Sequence, residues 1–141
     1  MKDVIIIPTY NEKENISQII SETFKLLPRV FVLVVDDNSP DGTAEIVREL
    51  KKKFPNLSLL LRNKKEGLGK AYINAFEEIL KDKDIKKIVM MDADFTHNPA
   101  YLSEMLKVAD NFNVVIGSRH VKGGKTEGWE LFRLHLGIQR D

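Results

Sequence analysis

Ile88-Val89-Met90-Met91-Asp92-Ala93-Asp94 is an apolar run that ends in a pair of aspartates. Side chains alternate across a strand, so Asp92 and Asp94 point to the same side where a buried strand meets solvent. Two carboxylates held together there repel unless a cation sits between them. A hard divalent ion, Mg²⁺ or Mn²⁺, fits that place because it takes oxygen ligands and is commonly shared with substrate phosphates. The plain alternative is a solvated turn whose aspartates cap the next helix.

The same unit of short apolar run, polar turn and amphipathic helix recurs on both sides of this stretch. Val4-Ile5-Ile6-Ile7 reads as a buried strand ended by Pro8. The helix from about Glu14 to Leu27 that follows sets Ile16, Ile19, Ile20, Phe24 and Leu27 on one face, with Asn11 or Asn15 as its cap. Val30 to Val35 is a second strand, and Asp36-Asp37-Asn38-Ser39-Pro40-Asp41-Gly42 is a turn by composition. A helix from about Thr43 to Phe54 turns Ile46, Val47, Leu50 and Phe54 inward, and Leu57 to Leu61 is a third strand. Gly67-Leu68-Gly69 opens a helix with Ala71, Ala75, Phe76 and Ile79 at core spacing, ending near Leu80. Ile88 to Met91 is the fourth strand, Pro99 begins a helix to about Ala109, and Val114-Val115-Ile116 is a fifth strand. Buried strands alternating with helices predict an α/β fold, a mostly parallel sheet flanked by helices on both faces.

Composition narrows the class. The 141 residues are 43% hydrophobic and 30% charged, an ordinary globular balance for one domain. Lys and Arg number 22 against 21 Asp and Glu, so no global basic field exists to attract nucleic acid. With no cysteine, disulfides and thiolate metal sites are excluded. Sparse histidine argues against zinc. The longest aliphatic-aromatic run, Val30 to Val35, is far short of a membrane span, and Met1-Lys2-Asp3 leads into a strand without a secretion signal. A cytoplasmic protein is expected.

Residues 1–120 are expected to form the α/β core, and residues 121–141 change character. Lys122-Gly123-Gly124-Lys125 is a basic loop, and Trp129, Leu131, Phe132, Leu134, Leu136 and Ile138 crowd the segment that follows. As a helix it is apolar nearly all round and needs cover. It either folds back on the sheet, pairs with a second copy to give a homodimer, or lies on a membrane surface.

In an open α/β sheet, ligands bind beyond the carboxyl ends of the strands. The strand ends deliver Pro8-Thr9-Tyr10-Asn11-Glu12, then Asp36 and Asp37, then Arg62, then Asp92 and Asp94, and finally Ser118-Arg119-His120. This set suits a nucleotide: carboxylate or backbone for the base, an aromatic to pack on it, and a metal with arginine for a diphosphate. Each member also has a structural reading. Glu12 neutralises a helix start, one of Asp36 and Asp37 shapes the turn, Arg119 pairs with Asp92, and His97 and His120 are surface residues. Gly67-Leu68-Gly69 lacks the third glycine of a dinucleotide fingerprint and reads as a tight turn.

Ile5-Ile6-Ile7-Pro8-Thr9-Tyr10-Asn11-Glu12 resembles the opening of family 2 glycosyltransferases of the GT-A fold. So do Val35 to Thr43, Gly67-Leu68-Gly69-Lys70-Ala71, Asp92-Ala93-Asp94-Phe95-Thr96-His97 and Gly117-Ser118-Arg119. The stretch from Ser118 to Gly124, with Trp129 and Arg133, resembles the dolichol- or polyprenyl-phosphate mannosyltransferase branch. The resemblance implies a nucleotide-binding, Rossmann-like core. It also implies transfer of a sugar, mannose from GDP-mannose, to a dolichyl or polyprenyl phosphate at the cytoplasmic face of a membrane. By position, Pro8, Tyr10, Glu12, Val35 and Asp37 surround the nucleoside. Asp92, Ala93 and Asp94 hold ribose, metal and diphosphate, and Arg119 and Arg133 meet phosphate charge. Asp94 and Arg119 are the catalytic candidates, with Asp92 and Asp94 as metal ligands. Thr96 stands where the branch usually has Gln, so water is expected to complete the metal shell in its place. The branch continues into an acceptor half, so this chain is expected to hold the donor half. A non-catalytic nucleotide-sugar-binding module that self-associates is the alternative.

Overall fold

The computed structural model describes residues 1–118 and 121–124. Its sheet has four parallel strands in the order β3-β2-β1-β4: β1 (Lys2–Thr9), β2 (Phe31–Asp36), β3 (Leu57–Leu61) and β4 (Ile85–Met90). The helices α1 (Ile16–Leu26), α2 (Thr43–Lys53), α3 (Leu68–Ile79) and α4 (Leu102–Val108) connect or follow them, with a 3₁₀ turn at Pro99–Tyr101 before α4. The α/β class read from the sequence is the fold observed.

Alternation along β1 builds two separate cores. Ile5 and Ile7 face one side of the sheet, packed with Ile16, Ile19, Ile20 and Phe24 of α1 and Val47 of α2. Val4 and Ile6 face the other, packed with Ala71, Tyr72, Ala75 and Ile79 of α3. Each fully buried isoleucine contributes about 1.5–3 kcal/mol of apolar burial. Thr23 is the polar residue inside α1, and its hydroxyl is satisfied by donating to the Ile19 carbonyl at 2.7 Å. Phe24 and Phe54 stack at 4.8 Å between centroids and tie the carboxyl ends of α1 and α2 together.

Several details depart from the pattern read in the sequence. Pro8 does not end β1 but lies inside it, opposite Val35. The Ile6 carbonyl accepts from Met91 N–H and the Thr9 carbonyl from Asp37 N–H. Pro8 therefore presents its missing donor on the β4 side, where pairing has already ended at Ile6–Met90. Asn15 occupies the position before α1 without capping it; its side-chain amide donates instead to Glu12 at 3.2 Å. β4 begins three residues earlier than its apolar run, because Lys2 pairs with Ile85 and a register shift carries Asp3 to Lys87. Lys86 and Lys87 both reach Asp110, at 3.1 and 2.7 Å, so their charges are paired rather than strand-breaking.

The expected fifth strand is absent. Residues 114–116 have no strand pairing, with Val114 and Ile116 76% and 80% exposed. Three apolar residues satisfy their backbone as a strand only when a neighbouring strand takes up the ladder, and here they form none with β4. The expectations for residues 125–141, and for Arg119, His120 and Arg133, lie outside the described residues.

Ile7→Ala removes a fully buried side chain at the centre of the α1 core. The expected cost is about 2–5 kcal/mol, read as a lower urea midpoint with unchanged slope. A loss below about 1 kcal/mol contradicts the described packing.

Candidate functional site

Strand order decides where the site lies. The chain winds outward from β1 through β2 to β3, then crosses back through α3 to set β4 on the opposite side of β1. The ends of β1 and β4 therefore diverge into a crevice, the switch point at which open α/β sheets bind ligands. Tyr10, Asn11 and Glu12 enter it from β1, and Asp92, Ala93 and Asp94 from β4.

Asp36 and Asp37 are neighbours with opposite surroundings. Asp36 is fully buried and accepts from the Thr9 hydroxyl at 2.7 Å, the Ser39 hydroxyl at 2.6 Å and the Ser39 amide at 2.9 Å. It is the turn-shaping member of the pair. Asp37, also buried, receives Arg62 Nη1 on Oδ1 at 3.0 Å, and Arg62 Nη2 reaches Glu66 at 3.1 Å. Oδ2 of Asp37 accepts no hydrogen bond among the described residues, leaving a lone pair for an outside N–H donor. The charge of Lys70 holds Glu66 below the usual carboxylate range against the opposing effect of burial, helped by Lys64 and Arg62.

The loop after β1 is tied to the turn after β2. Ser39 Oγ accepts from the Asn11 amide, Thr43 Oγ1 from the Glu12 amide, and Asp41 Oδ2 from the Lys13 amide, at 2.9, 3.1 and 3.1 Å. Burial opposes ionisation of Asp41, but hydrogen bonds from the Thr43 hydroxyl and the Lys13 and Thr43 amides outweigh it and lower its pKa. Asn11 and Asn38 both adopt φ near +56°, a left-handed turn that Asn tolerates. Tyr10 is 38% exposed, and the Lys65 ammonium sits 4.3 Å from its ring centroid. Pro8 and Val35 lie side by side beneath this loop.

Beyond β4, burial alternates as the sequence predicts: Met91 and Ala93 are buried, Asp92 is half-exposed and Asp94 exposed. The Thr96 hydroxyl and amide both donate to Asp94 Oδ1, at 2.6 and 3.1 Å. Thr96 therefore orients Asp94 rather than merely leaving a gap for water. Phe95 between them has φ +63°, a strained value for a bulky residue, held because its ring packs on the α1 core. His97 Nδ1 accepts from the Asp92 amide at 3.0 Å, which fixes the loop and leaves Nε2 4.0 Å from Asp92 Oδ2.

No group of three or more His, Cys, Asp or Glu among the described residues converges to cage a metal. Among the described residues the acids of the loop beyond β4 are Asp92 and Asp94, and Asp94 Oδ2 accepts no hydrogen bond from any of them. That donor set fits Mg²⁺ or Mn²⁺, which are held by one or two carboxylates with substrate phosphates completing the shell. A hollow of about 430 Å³ runs along β3 and α3 past Arg62 and Glu66. Another, about 580 Å³ beside Phe24 and Phe54, lies at the opposite edge of the sheet. The rim chemistry, not hollow size, marks the site.

Two features escaped the sequence reading. Arg62 was placed at the rim, but its pairing with Asp37 joins residues 25 apart and leaves no local pattern. Tyr72 is buried on α3, and its helical spacing with Ala75 and Phe76 was the available signal. Burial, then the charge of Asp92, raises the Tyr72 pKa, so its phenol stays protonated.

An open parallel sheet with paired acids at its switch point is an α/β arrangement of the kind that takes ligands beyond the carboxyl ends of its strands. The model of glycosyl transferase family 2 matches residues 4–140, and the chain belongs to that family. It is 40% identical over 136 residues to a dolichol-phosphate mannosyltransferase of Pyrococcus furiosus, covering 94% of this chain and 37% of that protein. It is 41% identical over 137 residues to a polyprenol monophosphomannose synthase of Mycolicibacterium smegmatis, covering 96% and 51%. The chain thus spans about half or less of these curated relatives. A mannosyltransferase structure from Pyrobaculum calidifontis, in complex with GDP-Man and Mn²⁺, superposes with a TM-score of 0.57 at 27% identity. The match covers 66% of this chain and 27% of that one.

Asp37→Ala strips Arg62 of its buried partner. The expected loss is about 3 kcal/mol of unfolding free energy. A variant within about 1 kcal/mol of the parent contradicts a structural ion pair.

Proposed function

We propose that this chain forms the donor side of a glycosyltransferase that moves mannose from GDP-mannose to a dolichyl or polyprenyl phosphate. The observation that carries the reading is the placement of Asp92 and Asp94 across the β1–β4 crevice from Tyr10 and Asp37. The named relatives, and the neighbour solved with GDP-Man and Mn²⁺, support it.

Each described residue has a task in this reading. Tyr10, steadied by Lys65, packs on the base, and Asp37, its other oxygen held by Arg62, accepts a base N–H. Pro8 and Val35 floor the nucleoside, and Glu12 closes its outer edge. Asp92 and the Ala93 backbone face the ribose. Asp92 and Asp94 would hold the divalent ion, which supplies charge neutralisation to the departing diphosphate. Arg119 and Arg133 are proposed to add positive charge there.

In the transfer step a phosphate oxygen of the acceptor attacks the anomeric carbon from the face opposite GDP. The bond to the β-phosphate oxygen breaks, and GDP leaves with the electron pair. The acceptor oxygen is already ionised at neutral pH, so no strong protein base is required. A polyprenyl acceptor implies work at a membrane surface, while no helix among the described residues is long and apolar enough to cross one. The share of the relatives matched favours a second reading: a nucleotide-sugar-binding module that does not itself catalyse transfer.

Titration of GDP-mannose with Mn²⁺ tests donor binding, and GDP release on adding polyprenyl phosphate separates the two readings. Binding with release supports the transferase; binding without release supports the donor module. Asp94→Asn is expected to cut metal-dependent affinity at least about tenfold, equivalent to roughly 1.4 kcal/mol, with an unchanged melting temperature. Equal affinity in the variant contradicts the assignment of Asp94.

A further inference from the structure

His97 stands beside Asp92 with a different role for each ring nitrogen. Nδ1 accepts from the Asp92 amide at 3.0 Å, and Nε2 lies 4.0 Å from Asp92 Oδ2, too far to donate to it. An imidazole nitrogen that accepts carries no proton, so the ring's one N–H hydrogen sits on Nε2. That tautomer keeps Nε2 from coordinating a cation and makes it a neutral donor. Among the described residues no acceptor meets this N–H. The side chain is 54% exposed, so solvent satisfies the donor and the fold does not depend on it.

Local structure holds the ring in this place. Two residues before it, Phe95 turns the chain at φ +63° and anchors it by packing on the α1 core. On the other side, Asn98 caps the 3₁₀ turn by accepting from the Ala100 amide at 2.9 Å, and Pro99 is buried. One nitrogen grips the Asp92 backbone and the other lies by its carboxylate, so the Nε2–H sits on the carboxylate's side of the loop. Oxygens bound side by side to one octahedral Mg²⁺ lie about 3 Å apart. The 4.0 Å between Nε2 and Asp92 Oδ2 is spanned by a single oxygen about 3 Å from each, within hydrogen-bond distance of the imidazole.

We propose that the His97 Nε2–H donates a hydrogen bond to a phosphate oxygen of the nucleotide diphosphate that shares the cation with Asp92. This inference rests on the nucleotide-sugar reading above and adds a residue that reading does not use. Read from the sequence as a surface residue, His97 becomes a ligand contact, and its tautomer is the reason it is not a metal ligand. Thr96, the hydroxyl donor of the same loop, is already engaged by Asp94 at 2.6 Å and is not available for that task. The imidazole meets a part common to all nucleoside diphosphates, so it strengthens binding without selecting the base.

The test is His97→Asn in the full 141-residue chain. Asparagine sets an oxygen near the place of Nδ1, which keeps an acceptor for the Asp92 amide while removing the Nε2–H. Calorimetric titration with Mg²⁺ uses GDP or UDP, whichever the parent binds more tightly. One lost hydrogen bond to a charged ligand predicts about a tenfold weaker Kd, with the melting temperature of the unliganded variant unchanged. Unchanged Kd overturns the proposal, and so does a lowered melting temperature, which would make the ring a structural group. Nitrogen-15 spectra of the parent imidazole are expected to show the Nε2–H tautomer and a shift of that proton when nucleotide binds. A proton on Nδ1, an Nε2 that gives up its proton to Mg²⁺, or an Nε2–H signal unmoved by bound nucleotide overturns it as well. A parent chain that binds neither nucleotide overturns the nucleotide reading and this inference together, so the two failures are distinguishable.

Discussion

The last rung between the central strand and its β4 neighbour, Met91 N–H to the Ile6 carbonyl at 3.1 Å, is the contact on which the site depends. It stops the ladder while β1 still has residues to run, so Pro8 loses no partner and the two strand ends separate. Asp92 and Asp94 then leave the sheet on one side of the gap, and Tyr10 on the other. A ladder extended by two residues would have paired Pro8, which has no donor, and closed the crevice. The position of a single proline and the acidic chemistry of the rim are thus parts of one arrangement.

Charge at the rim is divided by burial. Asp36 is buried under hydroxyl and amide donors and fixes the turn, while its neighbour faces Arg62 and keeps one oxygen free. A buried guanidinium shared between Asp37 and Glu66 positions the acid through a planar fork that lysine lacks. Lys64 and Lys70 surround Glu66 at 3.5 and 3.8 Å, leaving the β3–α3 side of the rim cationic in character. Asp92 and Asp94 on the far side have no such lysine partners among the described residues.

Much of this was legible in the sequence because burial leaves a period. The runs at Val4–Ile7 and Leu57–Leu61, and the faces of α1 and α2, reflect cores that accept few polar residues. Asp92 and Asp94 were legible because strand alternation is local. Strand order was not, since nothing in a parallel run names its neighbour. Nor was the start of β4, where Lys86 and Lys87 hide a strand whose charges are paired by the distant Asp110. The expectation of a strand at Val114–Ile116 failed because three apolar residues specify a preference, not a partner. Arg62 was legible as a rim residue, but its partner was not, for a related reason: a pairing across 25 residues is a property of three-dimensional placement.

The central claim is that Asp92 and Asp94 beyond β4 act on one ligand together with Tyr10 after β1 and Asp37 after β2. Anomalous scattering from crystals grown with Mn²⁺ and GDP measures this directly. A manganese peak within bonding distance of Asp94, with the base between Tyr10 and Asp37, is the predicted result. Nucleotide bound elsewhere, or manganese remote from Asp92 and Asp94 while nucleotide is present, would contradict it.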